Sequence, residues 1–514
     1  MIAIPAVLAA VLGVIGLESR SLGFDEGATV AIVSQHGSAL GAAIARDGGN
    51  MSGYYLLMHL FVGWFGDGLA VLRLPSVVFT VVTVALVGVL GVRLFNRRVG
   101  FVAGLLTAVN LPLVYWAQTA RGYAPMVTFV CAGWVAFLSL ADERTPQRRR
   151  RLAWLGYVAA MALAAYASFV AVLVIPVQLL AVVCRPRAAR RLVGALAALA
   201  VCCLPLLILG ARRGSGQLFW VPRPSRKVEG QVLEALTSTG LKPSFHPPFT
   251  TTGALIATIV VLLGLAGAVI HARRAERAPP APSTLTGWPI AITLSWILVP
   301  ALLTFAYSLL AQPIFLPRNL LTSLPAVALA LGVVITHPRL SRPIALVALV
   351  VALAVRAVPL IVSYGVSPEP WQTVTAQVLA RARPGDCVSF YPQDARNAFQ
   401  YYVGRAGAAD ARRAPRSILP AIAWDRVEPF VERYASLSSA QLSAAGAGCR
   451  RMWLVSSHEG QTDGPARSLA NLALYHRLEA ELQHAFGPGP VQQFGYASAI
   501  HVRLLAGQGR RRPG

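Results

Sequence analysis

Long, nearly uncharged apolar runs recur along this chain, and they constrain its fold more than any motif does. A helix that crosses a bilayer needs roughly 20 mostly apolar residues, because its backbone must satisfy its own hydrogen bonds across about 30 Å of hydrocarbon. Eleven segments are candidates, near 2–18, 70–94, 99–116, 122–141, 152–167, 169–184, 192–210, 251–270, 288–310, 320–336 and 343–362. The fifth and sixth form one apolar stretch with basic ends, divided at Ala167–Ser168 because a single helix of that length would overshoot the bilayer. The first run, Ile2 to Leu17, lacks the basic start and small-residue cleavage site of a signal peptide and reads as a retained span. With 55% hydrophobic and 13% charged residues among 514, there is more apolar sequence than a soluble core of this size can hide. The fold class expected is an all-α polytopic membrane domain over 1–362, with about 11 transmembrane helices.

A net charge of +25 would in a soluble protein suggest nucleic acid. Here the basic residues sit in short connectors, which is the pattern of cytoplasmic loops, so no nucleic-acid partner is expected. With a cytoplasmic N-terminus, five inside connectors carry Arg97–Arg98, Arg144 with Arg148–Arg151, Arg185–Arg191, Arg273–Arg277 and Arg339 with Arg342. The long loop 211–250 is also basic and falls outside, where length lets it translocate regardless of charge. The reading is a multi-pass protein of the cytoplasmic (inner) membrane.

An odd number of spans leaves 363–507 extracytoplasmic, and there the composition becomes that of a soluble domain. Strand-like runs Cys387–Phe390, Met452–Ser456 and Ala499–Leu505 alternate with helix-like stretches 371–383, 426–444 and 466–486, which predicts a small α/β domain. Cys387 and Cys449 can form a disulfide on that side of the membrane; two buried thiols is the other reading. Cys131, Cys184, Cys202 and Cys203 lie in or beside spans and read as packing residues. The Pro-rich 279–289 stretch reads as an inside linker, and 508–514 as a disordered basic tail.

Acids are scarce, 21 in all, so their positions carry information. Asp25–Glu26 follows the first span in Gly23-Phe24-Asp25-Glu26-Gly27, and Asp47 comes later in the same outside loop. A carboxylate pair at a membrane edge can serve as general base or bind sugar hydroxyls; it can also be an ordinary solvated loop pair. After it, Ala28–Ala45 has apolar residues at helical spacing and Tyr54-Tyr55-Leu56-Leu57-Met58-His59-Leu60-Phe61 is an aromatic run; both read as interfacial helices of the first outside loop. Arg121, within Tyr115–Tyr123, and Arg318, in Leu316-Pro317-Arg318-Asn319, fall at the same face. Either can hold a lipid phosphate, or simply snorkel to headgroups.

In that order, Phe24-Asp25-Glu26, Tyr54–Leu60 with Phe65-Gly66, Leu72-Arg73-Leu74-Pro75-Ser76, Tyr115–Tyr123 and Arg318-Asn319-Leu320-Leu321 with Leu324-Pro325 resemble the GT-C class of lipid-dependent integral membrane glycosyltransferases. The nearest group by these motifs is the bacterial protein O-mannosyltransferase-like and aminoarabinose-transferase-like one, and the likeness covers roughly 1–340. It implies transfer of a mannose- or arabinose-like sugar from a polyprenyl-phosphate donor to an envelope acceptor (glycan, lipid or protein), with inversion at the anomeric carbon. In that scheme Asp25 is the general base, Glu26 positions donor or acceptor, and Arg121 and Arg318 hold the phosphate. Asp47, His59, Tyr54 and Tyr123 are candidate sugar or acceptor contacts. Two departures fall near the sugar and phosphate sites: Asn50-Met51-Ser52-Gly53 stands where the class often has Asn-Pro-Pro, and Thr119 where it often has an acid. No metal ligand set is assigned, and a divalent cation is left open.

A lipid or lipid-linked sugar flippase is the rival from another class, as is an inactive GT-C-like scaffold. Transporters usually show repeated halves and ionisable groups near the midplane, whereas these acids lie in a loop. Nucleotide-sugar use is disfavoured by the outward-facing site and the lack of a Gly-rich phosphate loop.

Overall fold

The computed structural model describes residues 2–214, 218, 220–242, 253, 259, 266, 287–427, 430, 433–462, 464–496 and 498–506. Its first nine α-helices are α1 (Ala3–Val14), α2 (Phe24–Val33), α3 (Gly37–Arg46), α4 (Ser52–Phe65), α5 (Leu69–Leu94), α6 (Arg97–Ala108), α7 (Leu111–Ala117), α8 (Tyr123–Ala141) and α9 (Gln147–Ala167). Two compact units share the chain: Met1–Leu17, Gly48–Arg212 and Arg223–Gly365 form the first; Glu18–Asp47, Arg213–Pro222 and Val366–Gly514 form the second. The first outside loop, expected to lie with the spans, is thus divided, and its Asp25–Glu26 part clusters with the C-terminal segment.

The first unit is helical. Five helices are long and apolar enough to cross a membrane: α5, α8, Gly287–Leu310, Pro317–Ile335 and Arg342–Ser363. Two pairs, α6 with α7 and Pro186–Cys202 with Leu204–Arg213, add two more if each, bent by 58°, is one span. Among the described residues five to seven helices therefore meet this measure, where eleven spans are expected over the whole chain. Helix α1 and the segment Phe169–Val182 are apolar but short, and α9 spends its first turn on Arg148–Arg151. The expected span 251–270, apart from three single positions, lies outside the described residues, as do the linker as far as residue 286 and the tail 508–514. The expected break at Ala167–Ser168 is present: Ser168 is extended (φ −168°, ψ 137°) between α9 and a 3-10 turn, Phe169–Val174.

Small residues set the closest helix contacts. A Cβ on Gly91 would lie 2.5 Å from Gly100 Cα, and one on Gly100 would lie 2.5 Å from Gly88 O, so α5 and α6 meet backbone to backbone. Further out, Trp134 of α8 stacks on Trp296 at 4.5 Å. The run 99–116, expected as one helix, breaks between α6 and α7 because Asn110 caps α7 (Leu113 N–H to Oδ1, 3.1 Å) and Pro112 follows. The freed groups find partners: Leu111 N–H donates to Ser238 Oγ at 2.8 Å, and buried Arg356 donates to Leu106 O at 3.2 Å.

The second unit is built on a five-stranded sheet, ordered β2-β1-β3-β5-β4, from β1 (Asp386–Tyr391), β2 (Arg416–Leu419), β3 (Arg451–Ser456), β4 (Val491–Phe494) and β5 (Ile500–Leu505). Strands β2, β1 and β3 are parallel, while β5 runs antiparallel to β3 and to β4. Both faces of β1 are covered: Tyr391 packs with Leu454, Leu478 and Leu505, while Phe390 meets Phe399 and Trp424. A disulfide joins Cys387 to Cys449. Helices Trp371–Arg381 and Ala466–Phe486 lie within or over their expected stretches, but among the described residues of 426–444 the helix is Ser439–Ala445, which starts late. Ser438 begins that helix with a capping box to Gln441 and so delays its start.

Helix α2 belongs to this sheet domain. A Cβ on Gly27 would lie 2.9 Å from Ala398 N, so glycine lets α2 lie directly on the helix Ala395–Val403. Glu26 to Val33 are all buried, which is not the one-sided burial of an interfacial helix. The single segment expected over Ala28–Ala45 is two helices, α2 and α3, because His36 is extended and Gly37 takes φ 54°. By contrast α4 buries Tyr54, Tyr55 and Met58 and exposes Leu56, Leu60, Trp64 and Phe65, an apolar face suited to lipid.

Candidate functional site

The segment leading into α2 is laced to distant chain. Ser21 N–H donates to Ser367 Oγ (2.9 Å), Leu22 N–H to Tyr402 Oη (2.7 Å) and Phe24 N–H to Glu369 Oε2 (2.6 Å). Helix N-termini leave backbone donors unpaired, and here carboxylates meet them. Glu26 reaches back so that its Oε2 accepts Gly23 N–H at 3.1 Å, the glutamate half of a capping box, and it is only 4% exposed. Asp25, next to it, is half-buried. The two adjacent acids therefore differ in burial: Glu26 closes the cap of its own helix, and Asp25 is half-exposed on the first turn.

Around Asp25 the second unit gathers Glu369 and His458. Glu369 Oε1 lies 3.7 Å from His458 Nε2, and its Oε2 also accepts Trp371 Nε1–H at 3.4 Å. Burial pushes the Glu369 carboxyl above the usual range; His458, the Phe24 amide and Trp371 oppose that push, and the charge of Asp25 adds to it. Beyond this group, Glu459 accepts from Ser456 Oγ at 2.7 Å and faces His501 Nδ1 at 2.8 Å. Among the described residues no group of three His, Cys, Asp or Glu side chains is arranged to hold a metal ion. Asp47, also of this unit, ends α3 and is half-buried.

The remaining expected residues belong to the first unit, where four of the motif segments interlock. Tyr54 Oη lies 3.5 Å from Ser76 Oγ, and Ser76 donates to Thr119 O at 3.0 Å. The next residue, Tyr55, accepts a bond from Arg121 Nη1 at 3.2 Å. Gln118 Nε2 points at the last carbonyls of α1, 3.0 Å from Gly13 O and 2.7 Å from Ile15 O, and Arg73 donates to Leu17 O at 2.8 Å. Tyr123 is buried against Trp116, their rings 4.5 Å apart. The turn bearing Arg121 is flanked by α7 and α8, and both pack on the 3-10 helix Pro317–Ser323 that carries Arg318. His59 is half-buried on α4.

Tyr55, Ser76 and Gln118 stand in the sequence only as parts of motif segments, and Glu369 and His458 belong to none of them. The scarcity of acids could have pointed to Glu369, set between Pro368 and Pro370 just beyond the last span. Nothing in the sequence marks His458, whose place beside Glu369 depends on a backbone turn with φ 58°.

These elements define the GT-C fold, and the chain is a multi-pass membrane protein of that fold. Residues 53–209 match the family model for dolichyl-phosphate-mannose-protein mannosyltransferase. The structure is similar to that of ArnT from Cupriavidus metallidurans in the apo state, with a TM-score of 0.55, 14% identity and 99% of each chain covered. ArnT bound to undecaprenyl phosphate gives a TM-score of 0.51 at the same identity and coverage. The archaeal oligosaccharyltransferase AglB from Archaeoglobus fulgidus, in complex with an inhibitory peptide and a dolichol-phosphate, gives 0.53 at 12% identity, over 98% of this chain and 73% of that one. No curated protein sequence matches the chain.

Proposed function

We propose that this protein transfers a sugar from a polyprenyl-phosphate donor to an envelope acceptor at the outer face of the cytoplasmic membrane, with Asp25 as general base. The observation that carries the reading is the different placement of the two adjacent carboxylates: Glu26 is buried in its cap, while Asp25 stays half-exposed on the first turn of a helix held in place. The matched family segment and the GT-C fold support the same chemistry.

In this reaction the acceptor oxygen attacks the anomeric carbon as its proton passes to Asp25. The bond from that carbon to the phosphate oxygen breaks with its electron pair, releasing polyprenyl phosphate and inverting the centre. Arg121 and Arg318 meet the charge that grows on the leaving phosphate, where a preorganised cation lowers the barrier most. Tyr55 steadies Arg121 through its hydroxyl. Glu26 acts through its cap on α2, and Tyr54, Tyr123, His59 and Asp47 are proposed sugar or acceptor contacts. The transferred sugar is proposed to be mannose- or arabinose-like.

The test is transfer of radiolabelled sugar from mannosyl- and arabinosyl-phosphate polyprenols to envelope acceptors, by purified protein and by Asp25→Asn. A loss of about 10²- to 10⁴-fold in the variant, with donor binding kept, is expected of a general base. Equal transfer by both proteins removes Asp25 from that role. Labelled lipid crossing the bilayer without transfer points to a flippase instead.

A further inference from the structure

The residue before Asp25 is held by groups with no part in the proton or phosphate steps. Phe24 is gripped twice by the sheet domain. Its amide is bonded to Glu369 Oε2 at 2.6 Å, and its ring lies on the His458 imidazole, centroids 4.5 Å apart and tilted by 35°. Phe430 closes the third side, edge-on at 6.1 Å.

Glu369 and His458 come from separate loops of that domain. Glu369 lies between two prolines ahead of the helix Trp371–Arg381, and His458 follows β3. They face each other, Oε1 to Nε2, at 3.7 Å. His458 takes the left-handed backbone conformation (φ 58°), which costs a non-glycine residue free energy and persists only where surroundings enforce it. Its other ring nitrogen lies 2.7 Å from Ser457 Oγ, and Ser457 N–H is bonded to Tyr391 O at the end of β1. An unbroken chain of contacts therefore runs from the C-terminal ends of the parallel strands β1 and β3, through His458 and Glu369, to the first turn of α2.

We propose that Glu369 and His458 are positioning residues for Asp25, so that the C-terminal sheet domain is a working part of the active site. The proposal rests on the reading of Asp25 as the base. Glu369 fixes the amide of the preceding residue, and the His458 ring fixes that residue's side chain. Together they remove the freedom of the first turn to rotate Asp25 away from the acceptor hydroxyl. Misplacement of a catalytic group by about 1 Å can cost on the order of 10²-fold in rate. Glu369 also sets the local field. The titratable groups that face it are His458 and Asp25, and its charge is felt by Asp25 as theirs is felt by Glu369.

The experiment compares wild type, Glu369→Ala, Glu369→Gln, His458→Asn and Asp25→Asn in the same transfer assay, with kcat and donor KM measured from pH 5 to 9. Gln keeps an acceptor for the Phe24 amide without the charge, and Asn tolerates the left-handed backbone while losing the imidazole. Expected are a fall in kcat of about 10- to 100-fold for Glu369→Ala with donor KM within about 2-fold, and substantial recovery of kcat in Glu369→Gln. His458→Asn lowers kcat in the same manner. Hydrogen exchange at Phe24–Gly27 should speed up in Glu369→Ala, a readout independent of turnover.

Wild-type kcat in Glu369→Ala, beside an inactive Asp25→Asn, overturns this proposal and leaves the base in place. The same holds if Glu369→Ala and Glu369→Gln lose only thermal stability, with kcat and hydrogen exchange at Phe24–Gly27 unmoved. Full activity in Asp25→Asn, or no transfer by wild type from either donor, removes the reading on which it rests.

Discussion

Asp386 shows how a single buried carboxylate can organise a strand. It opens β1, forms an ion pair with Arg451 at 2.6 Å, and accepts from Trp453 Nε1 at 3.0 Å and Arg383 N at 3.0 Å. Burial pulls its carboxyl upward, but the bonds from Arg451, Trp453 and Arg383 together outweigh that and hold it below the usual range. Its contribution is thus present above the ordinary aspartate value and fades as pH falls through the depressed one. Asp386→Asn should cost about 2 kcal/mol at neutral pH, read from thermal unfolding, with the difference from wild type shrinking in acid. The pair Glu459–His501 adds a two-sided dependence. The bond to Glu459 raises the His501 imidazole; in Glu459, desolvation raises and the bonds from His501 and Ser456 more than reverse it. His501 therefore stabilises fully below its ordinary value of 6.5 and loses the effect as pH rises through its raised one; Glu459 does so above 4.5 and loses it in acid. The melting-temperature gap between wild type and His501→Gln should be widest between 4.5 and 6.5 and close on either side.

Among whole elements, the contact of α5 with α6 depends on having no side chain at three glycines. Gly100→Val would drive a branched side chain into Gly88 O and Val92 N, 2.5 and 3.0 Å from the position of its Cβ. A loss of about 1–3 kcal/mol, or failure to yield folded protein in detergent, is expected, whereas the same change at Gly156, with nothing within 4 Å, should be silent. The α6–α7 bend was hidden in the sequence for a related reason. Hydropathy averages over Asn110 and Pro112, and the groups that satisfy the opened backbone, Ser238 and Arg356, lie far along the chain. The division of 28–45 into two helices is not visible in the sequence, because His36 and Gly37 interrupt an otherwise helical spacing by conformation, not by composition.

For the molecule as a whole, the chain order of the motifs is not the order in which they cluster. Residues 18–47 join the C-terminal segment, so Asp25 depends for its surroundings on residues some 345 positions away. A chain ending at Gly365 would leave the amides of Ser21 and Phe24 without Ser367 and Glu369, and limited proteolysis should then cut within 18–47, where the full chain resists. The disulfide spans 62 residues of the same domain. Replacing both cysteines by serine should lower the domain's stability by about 2–4 kcal/mol, measured by unfolding with and without reductant.

What the sequence determined by itself is whatever follows from local pattern: the apolar runs that became α5, α8 and the three later long helices, the short strand-like runs that became β1, β3 and β5, and the Asp25–Glu26 and Arg121 motifs as candidates. Each is set by the periodicity of burial or by residue types within a few positions, and both can be read along one strand of text. What only the tertiary structure decided is which of the two acids is buried and what stands beside them. Glu26 turned inward because the end of α2 needed an acceptor for Gly23, and Glu369 with His458 arrived because unpaired amides and a buried aromatic ring take partners by distance in space. Sequence separation carries no information about that distance until the chain has folded.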